Sequence, residues 1–220
     1  MTSTGRKLMI VAGGLAVVVV AAALYITQWL SYIQPEQAPA VTVSSSGQKQ
    51  ANLELATLGS IGFTSHATWV AYLVRQGGRW VHSTNWVLPA HALVHVTILQ
   101  YDTQTGLRNP FLSQVRGTVG SVEYVDGHAV HYMDPTLPAH TFSIPELGVN
   151  VPLYGIPNAT YPGTFGNPHN THETITFSFR TGGKGLLHWQ CFVPCAAGFL
   201  FGNGGPMQTV GYMDGYIHVV

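Results

Sequence analysis

The sequence predicts an all-β sandwich carried behind one N-terminal membrane helix, and three observations support this. Lys+Arg 9 and Asp+Glu 9 among 220 residues leave the chain only 8 % charged, against about 25 % in an ordinary soluble domain. Gly 25 and Pro 13 punctuate it, which favours many short elements joined by turns over a few long helices. Several stretches alternate apolar and polar residues with period two, as half-buried strands do. The 46 % hydrophobic content is ample for a packed core and excludes disorder as the main state. With a formal net charge of +0 and no basic block, the electrostatic footprint of phosphate binding is missing, and no nucleic-acid partner is expected.

Residues 1–7 read as a cytoplasmic N-terminus and 8–30 as a transmembrane anchor. From Leu8 to Ile26 the chain is uncharged (LMIVAGGLAVVVVAAALYI), long enough to span a bilayer as one helix. Arg6 and Lys7 precede it and Trp29 and Tyr32 follow it. The positive-inside rule then places the N-terminus in the cytoplasm and the C-terminal domain on the extracytoplasmic side of the plasma membrane. The run is longer than the apolar region of a cleaved signal peptide. Ala21-Ala22-Ala23 resembles a cleavage site, but either reading exports the C-terminal domain.

Residues 31–50 form a linker: from Gln34 to Gln50 the chain is rich in Pro, Ser, Gln and Ala without an apolar period. Residues 51–220 form one extracytoplasmic domain. The clearest strands are Thr68–Val74, Leu93–Leu99 and Thr174–Phe179. Shorter ones are expected at Ser121–Val125, Ala129–Met133, Thr141–Ile144, Gly185–Trp189 and Tyr216–Val220. That many short strands imply a sandwich or barrel.

The only cysteines, Cys191 and Cys195, lie four apart in His188-Trp189-Gln190-Cys191-Phe192-Val193-Pro194-Cys195. Paired soft ligands on a loop point to a soft metal. The competing reading in an oxidising compartment is a disulfide, which so short a loop disfavours. Most of the 11 histidines read as packing or surface residues, His66, His82, His91 and His95 among them. His140 differs, because it opens a period-two run that stops at Pro145 and Gly148, which places it at a strand end where a loop site can form.

His-x-Phe-x-Ile-Pro-x-Leu-Gly-Val from His140, followed downstream by Gln190-Cys191-x-x-x-Cys195, resembles the cupredoxin domain of cytochrome c oxidase subunit II. The resemblance covers about residues 90–220. It implies a cupredoxin-like Greek-key β-sandwich that binds copper, as one ion or a CuA-like pair. It puts His140, Cys191 and Cys195 on ligand positions and gives Val193 a backbone-carbonyl role, where the family usually has Glu. Gly211–Val220 resembles the final cupredoxin strand and makes Met213 the candidate axial ligand, with Met207 in second place. One position departs: four residues after Cys195, where the family has His, stands Phe199, in an aromatic, Gly-rich stretch that suits packing or partner contact. A second imidazole then has to come from His188, His218, His169 or His172. Strand alternation puts His188 on the face of Gln190, opposite Cys191.

Thiolates, an imidazole and a thioether suit copper better than calcium or magnesium, and zinc also accepts Cys and His. The resemblance implies a non-catalytic electron-transfer subunit, anchored in the membrane and passing electrons to a terminal haem-copper oxidase. Its partners would be other subunits of that oxidase or of a respiratory complex, and a redox donor protein. The alternatives are a metal-free structural subunit of the same fold and a copper delivery protein, although delivery proteins with Cys-x-x-x-Cys carry it early, at a strand-to-helix turn. No Gly-x-Ser-x-Gly or His-Glu-x-x-His occurs, so no hydrolase is expected. Without Arg6 and Lys7 the exported part stays charge-poor. Its surface is therefore expected to be covered by partner subunits, or to face an acidic exterior in which histidines carry positive charge.

Overall fold

The computed structural model describes residues 3–25, 41–42, 45–46, 49–59, 69–106, 109–156, 171–195 and 205–220. Trp29, Tyr32, His66, His169 and Phe199 lie outside them. The chain divides into two units, Met1–Gln34 and Pro35–Val220. Among the described residues the first holds one helix, α1, Ser3–Leu24. Among the described residues no helix is long and apolar enough to cross a membrane, and membrane anchoring rests on the sequence reading alone.

Among its described residues the second unit is built of strands with three short 3-10 turns, Val119–Ser121, Pro145–Leu147 and Pro206–Gln208. Its described strands are β1 (Val41–Thr42), β2 (Ser45–Ser46), β3 (Gln50–Leu58), β4 (Ala71–Gln76), β5 (Arg79–Val81), β6 (Asn85–Leu88) and β7 (Leu93–Gln100), then β8 (Glu123–Val125), β9 (His128–Val130), β10 (Pro138–Ile144), β11 (Val149–Tyr154), β12 (Glu173–Arg180), β13 (Gly185–Gln190) and β14 (Asp214–Val219). They form two sheets. One has the order β1-β6-β14-β13-β10-β11; the other runs β5-β4-β3-β7-β12-β8-β9, with β2 paired to β3.

Alternation decides which side chains enter the core. Val94, Val96 and Ile98 of β7 are buried beside Ile175, Phe177 and Phe179 of the antiparallel β12, and Leu53 and Leu55 of the parallel β3 flank them. The facing sheet supplies Trp86, Phe142, Ile144, Trp189, Ile217 and Val219 to the same cluster. At its centre the indoles of Trp86 and Trp189 stack with ring centres 4.6 Å apart, Phe142 lies 5.9 Å from Trp189, and Tyr72 stands edge-on to Trp189 at 4.8 Å. Each buried indole N–H is satisfied, Trp189 Nε1 donating to the Thr84 carbonyl (2.8 Å) and Trp86 Nε1 to that of Ser83 (3.0 Å).

Most expected strands are present with shifted ends. β4 starts at Ala71 rather than Thr68 and runs on to Gln76, where Gly77 and Gly78, both at positive φ, turn the chain into β5. β3, β5, β6 and β11 are additions to the strands that periodicity predicts. β11 carries Pro152, which lacks an N–H and is tolerated because the strand lies at the sheet's edge. Asn150 in β11 exchanges backbone hydrogen bonds with Arg116 (2.8 and 3.0 Å), which partly covers that edge. Within the stretch read as a linker, β1 pairs with β6 and β2 with β3.

Candidate metal centre

His140 is the third residue of β10. The sequence places it at a strand end; it lies just inside one, past an irregularity where Pro138 pairs with Tyr154 but His140 with Leu153. The residue between is a bulge, a feature that re-aims neighbouring side chains. All seven residues of β10 are buried and His140 is 1 % exposed.

The cysteines follow the end of β13. Cys191 N–H donates to the Met213 carbonyl (2.9 Å) and Phe192 N–H to Thr141 Oγ1 (2.9 Å), which fastens this loop both to β10 and to the approach of β14. The sulfurs of Cys191 and Cys195 lie 3.0 Å apart, and both thiols are free and buried. His140 Nδ1 is 3.1 Å from Cys195 Sγ and 4.0 Å from Cys191 Sγ. The three donor atoms all lie within 4.8 Å of one another. The Val193 carbonyl turns in between them, accepting from Cys195 Sγ at 2.9 Å with Cys191 Sγ 3.3 Å away, while Thr141 N–H donates to Cys191 Sγ at 3.4 Å.

The far side of the imidazole meets a residue that sequence reasoning missed. His140 Nε2 lies 3.0 Å from Asp102 Oδ2. Asp102 follows β7, 38 positions before His140, and no local motif marks it.

Burial opposes every charge in this group, and the contacts decide which charges survive. For His140 burial pushes the pKa down, but the Asp102 carboxylate and the Cys191 sulfur outweigh it and lift it to about 9. For Cys191 burial pushes up, yet the Cys195 thiol, His140 and the Thr141 N–H hold it well below the ordinary thiol value. Cys195 is driven well above by burial and by the neighbouring Cys191 thiolate. These contacts favour charge on Cys191, His140 and Asp102 and disfavour it on Cys195. Tyr72, fully buried with its hydroxyl donating to the Thr141 carbonyl (3.4 Å), is held neutral by burial and by the two cysteines.

The remaining predicted site residues divide. Met213 is fully buried and packs in the same cluster as Cys191, Val193 and Cys195; half-buried Met207 packs against it. His188 stands apart from the three donors: its Nε2 is 2.9 Å from Asp214 Oδ1 and its N–H donates to Glu146 Oε1 (3.1 Å). His218 and His172 are exposed, His172 lying against the Tyr101 ring. Of the histidines read as structural, His95 bonds Ser178 Oγ on an exposed face (2.9 Å) and His82 stands edge-on to Tyr212. A cavity of about 260 Å³ opens beside His140 and Cys195, with Asp102, Gln104, Thr105 and Pro194 on its walls.

Two sulfurs, one imidazole nitrogen and one carbonyl converging in a buried, pre-fastened pocket fit a soft or borderline metal and do not fit calcium or magnesium.

No protein family and no curated protein matches the sequence. Among solved structures the chain is similar to rusticyanin from Thiobacillus ferrooxidans, at 16% identity over 89% of this chain and 94% of that one, with a TM-score of 0.34. It is similar to reduced rusticyanin at 15% identity over 89% and 96%, with a TM-score of 0.33. A chain of a heme-copper terminal oxidase dimer is similar at 11% identity over 99% of each chain, with a TM-score of 0.31.

Proposed function

We propose that the chain is a membrane-anchored, copper-binding electron-transfer protein of cupredoxin type. It resembles cytochrome c oxidase subunit II and passes electrons to a terminal haem-copper oxidase. The observation that carries the reading is the convergence of His140 Nδ1, Cys191 Sγ, Cys195 Sγ and the Val193 carbonyl in one buried pocket, on the residues that the two sequence motifs single out.

Copper held there supplies one-electron transfer at a thiolate-rich centre. The chain's own residues would do the rest. Cys191 and Cys195 would provide the thiolates, His140 its Nδ1 and Val193 its carbonyl, with Met213, or less directly Met207, as the thioether. The backbone bonds from Cys191 and Phe192 to Met213 and Thr141 tie the ligand loop to both neighbouring strands, so the donors need little rearrangement when the charge of the centre changes. All three donors are buried, and the cavity beside His140 and Cys195 is the side from which they can be reached. From Leu8 to Leu24 the sequence of α1 carries no charge, which suits lipid. It would hold the domain at the extracytoplasmic face of the plasma membrane, beside the oxidase subunits and the redox donor.

The test is metal analysis and EPR of the purified full chain after copper loading. A seven-line hyperfine pattern is expected for a mixed-valence copper pair and four lines for a single ion, with visible thiolate-to-copper absorption that Cys191→Ser abolishes. A colourless, EPR-silent, metal-free protein after reconstitution overturns the reading in favour of a structural subunit.

A further inference from the structure

We propose that Asp102 is a positioning residue for this centre: its carboxylate, carried on a main chain braced by Gln100, holds the His140 ring with Nδ1 turned to the cysteines and keeps the reduction potential of bound copper low. The potential half of the inference rests on the copper-binding function proposed for the chain; the ring-holding half does not.

An imidazole can present either nitrogen to a metal, and the partner of the other nitrogen decides which. In His140, Nδ1 faces Cys195 Sγ at 3.1 Å while Nε2 meets Asp102 Oδ2 at 3.0 Å. A half-turn of the ring about Cβ–Cγ would put Cδ2 in place of Nδ1 at the cysteines and Cε1 in place of Nε2 at Asp102, and the carboxylate, which bonds only the nitrogen, opposes that turn. Asp102 is itself immobilised. Its N–H donates to Gln100 Oε1 (3.0 Å), and its carbonyl accepts from Gln100 Nε2 (3.0 Å) and from Ile156 N–H (3.0 Å). Its other carboxylate oxygen accepts from Thr103 N–H (2.8 Å). Gln100 is fully buried and is bonded in turn by the Thr57 hydroxyl. The brace thus runs from β3 through β7 to the ring. Because Asp102 carries a negative charge one imidazole away from the donors, it favours the more positive, oxidised state of a metal held there.

The experiment compares the full-length wild-type chain with Asp102→Asn and Asp102→Ala. Three quantities are read: the nitrogen–proton spectrum of the His140 ring in metal-free protein, Cu(I) affinity by chelator competition, and the reduction potential. In wild type a hydrogen-bonded Nε2 proton is expected. Asp102→Ala should lose it and bind Cu(I) about 10–100-fold more weakly, as loss of such an outer partner does. Asp102→Asn keeps an accepting oxygen, so its ring proton and affinity should stay close to wild type while its potential rises. An Asp102→Ala protein with unchanged ring spectrum and affinity overturns the proposal, as does an Asp102→Asn protein whose potential stays put or falls. If wild type takes up no copper, the copper-binding function fails on its own. The ring spectrum then decides: loss of the bonded proton in Asp102→Ala upholds the positioning role, and its persistence overturns it.

Discussion

On β8 both carboxylate oxygens of Glu123 are fully buried and find no hydrogen-bond partner among the described residues. Burial therefore raises its pKa well above the ordinary carboxylate value. A raised acid contributes full stability below its unfolded pKa and loses it as pH climbs toward the folded value. Unfolding free energy should accordingly fall between about pH 4.5 and neutrality, and Glu123→Gln, which cannot ionise, should flatten that slope; urea titrations of both proteins at several pH values check it. Replacement by Leu, which needs no partner, should stabilise the fold by about 1–3 kcal/mol at neutral pH, measured the same way. Legibility at this scale follows locality. Cys191 and Cys195 share one short motif and His140 opens another, so the sequence displays them. The Asp102–His140 contact joins the loop after β7 to β10 across 38 positions, and the isolation of Glu123 exists only once β8 has packed, so neither leaves a local signal.

Among the elements, β14 is tightly constrained at Gly215. A Cβ placed on Gly215 would sit 2.0 Å from the Thr84 carbonyl and 2.7 Å from Trp189 Nε1. That carbonyl accepts the Trp189 indole N–H and the Tyr216 backbone N–H. Gly215→Ala should therefore push β14 away from β6 and disturb the indole pair at the centre of the core, costing at least about 1–3 kcal/mol as overpacking does. Thermal unfolding measures the loss, and an unchanged midpoint would contradict the packing described. Strands with a clean period of two, such as β7 and β12, are readable from sequence because each buries one face. Others are not. All of β10 is buried, so only part of it alternates visibly. β3 comes directly after polar residues, and its pairing with β7, which makes it a central strand, is a long-range event. β11 contains a proline that argues against a strand until its edge position is known. The linker composition at Ser45–Ser46 likewise conceals pairing supplied by β3.

The charge deficit of the whole chain becomes a statement about what holds the domain together. Among the described residues one ion pair joins an arginine to an acid, Arg75 Nε to Glu54 Oε2 at 3.5 Å, with both side chains about half exposed. The other two pairs are the imidazole contacts His140–Asp102 and His188–Asp214. Arg116 spends its cation on the Phe111 ring, 3.5 Å from its centre. An exposed pair is worth about 0–1 kcal/mol, and salt screens it further, so nearly all of the stability has to come from the apolar cluster and the backbone ladders. In a chain of this size about 1 kcal/mol moves the midpoint by about 2–4 °C. The unfolding midpoint of the protein should therefore change by no more than about 4 °C between roughly 0.05 and 0.5 M NaCl at fixed pH. A larger drop would require a network of surface ion pairs that 18 charged residues are poorly placed to supply. Salt sensitivity of association is a separate matter: a domain stabilised this way tolerates a charge-poor surface without losing its fold.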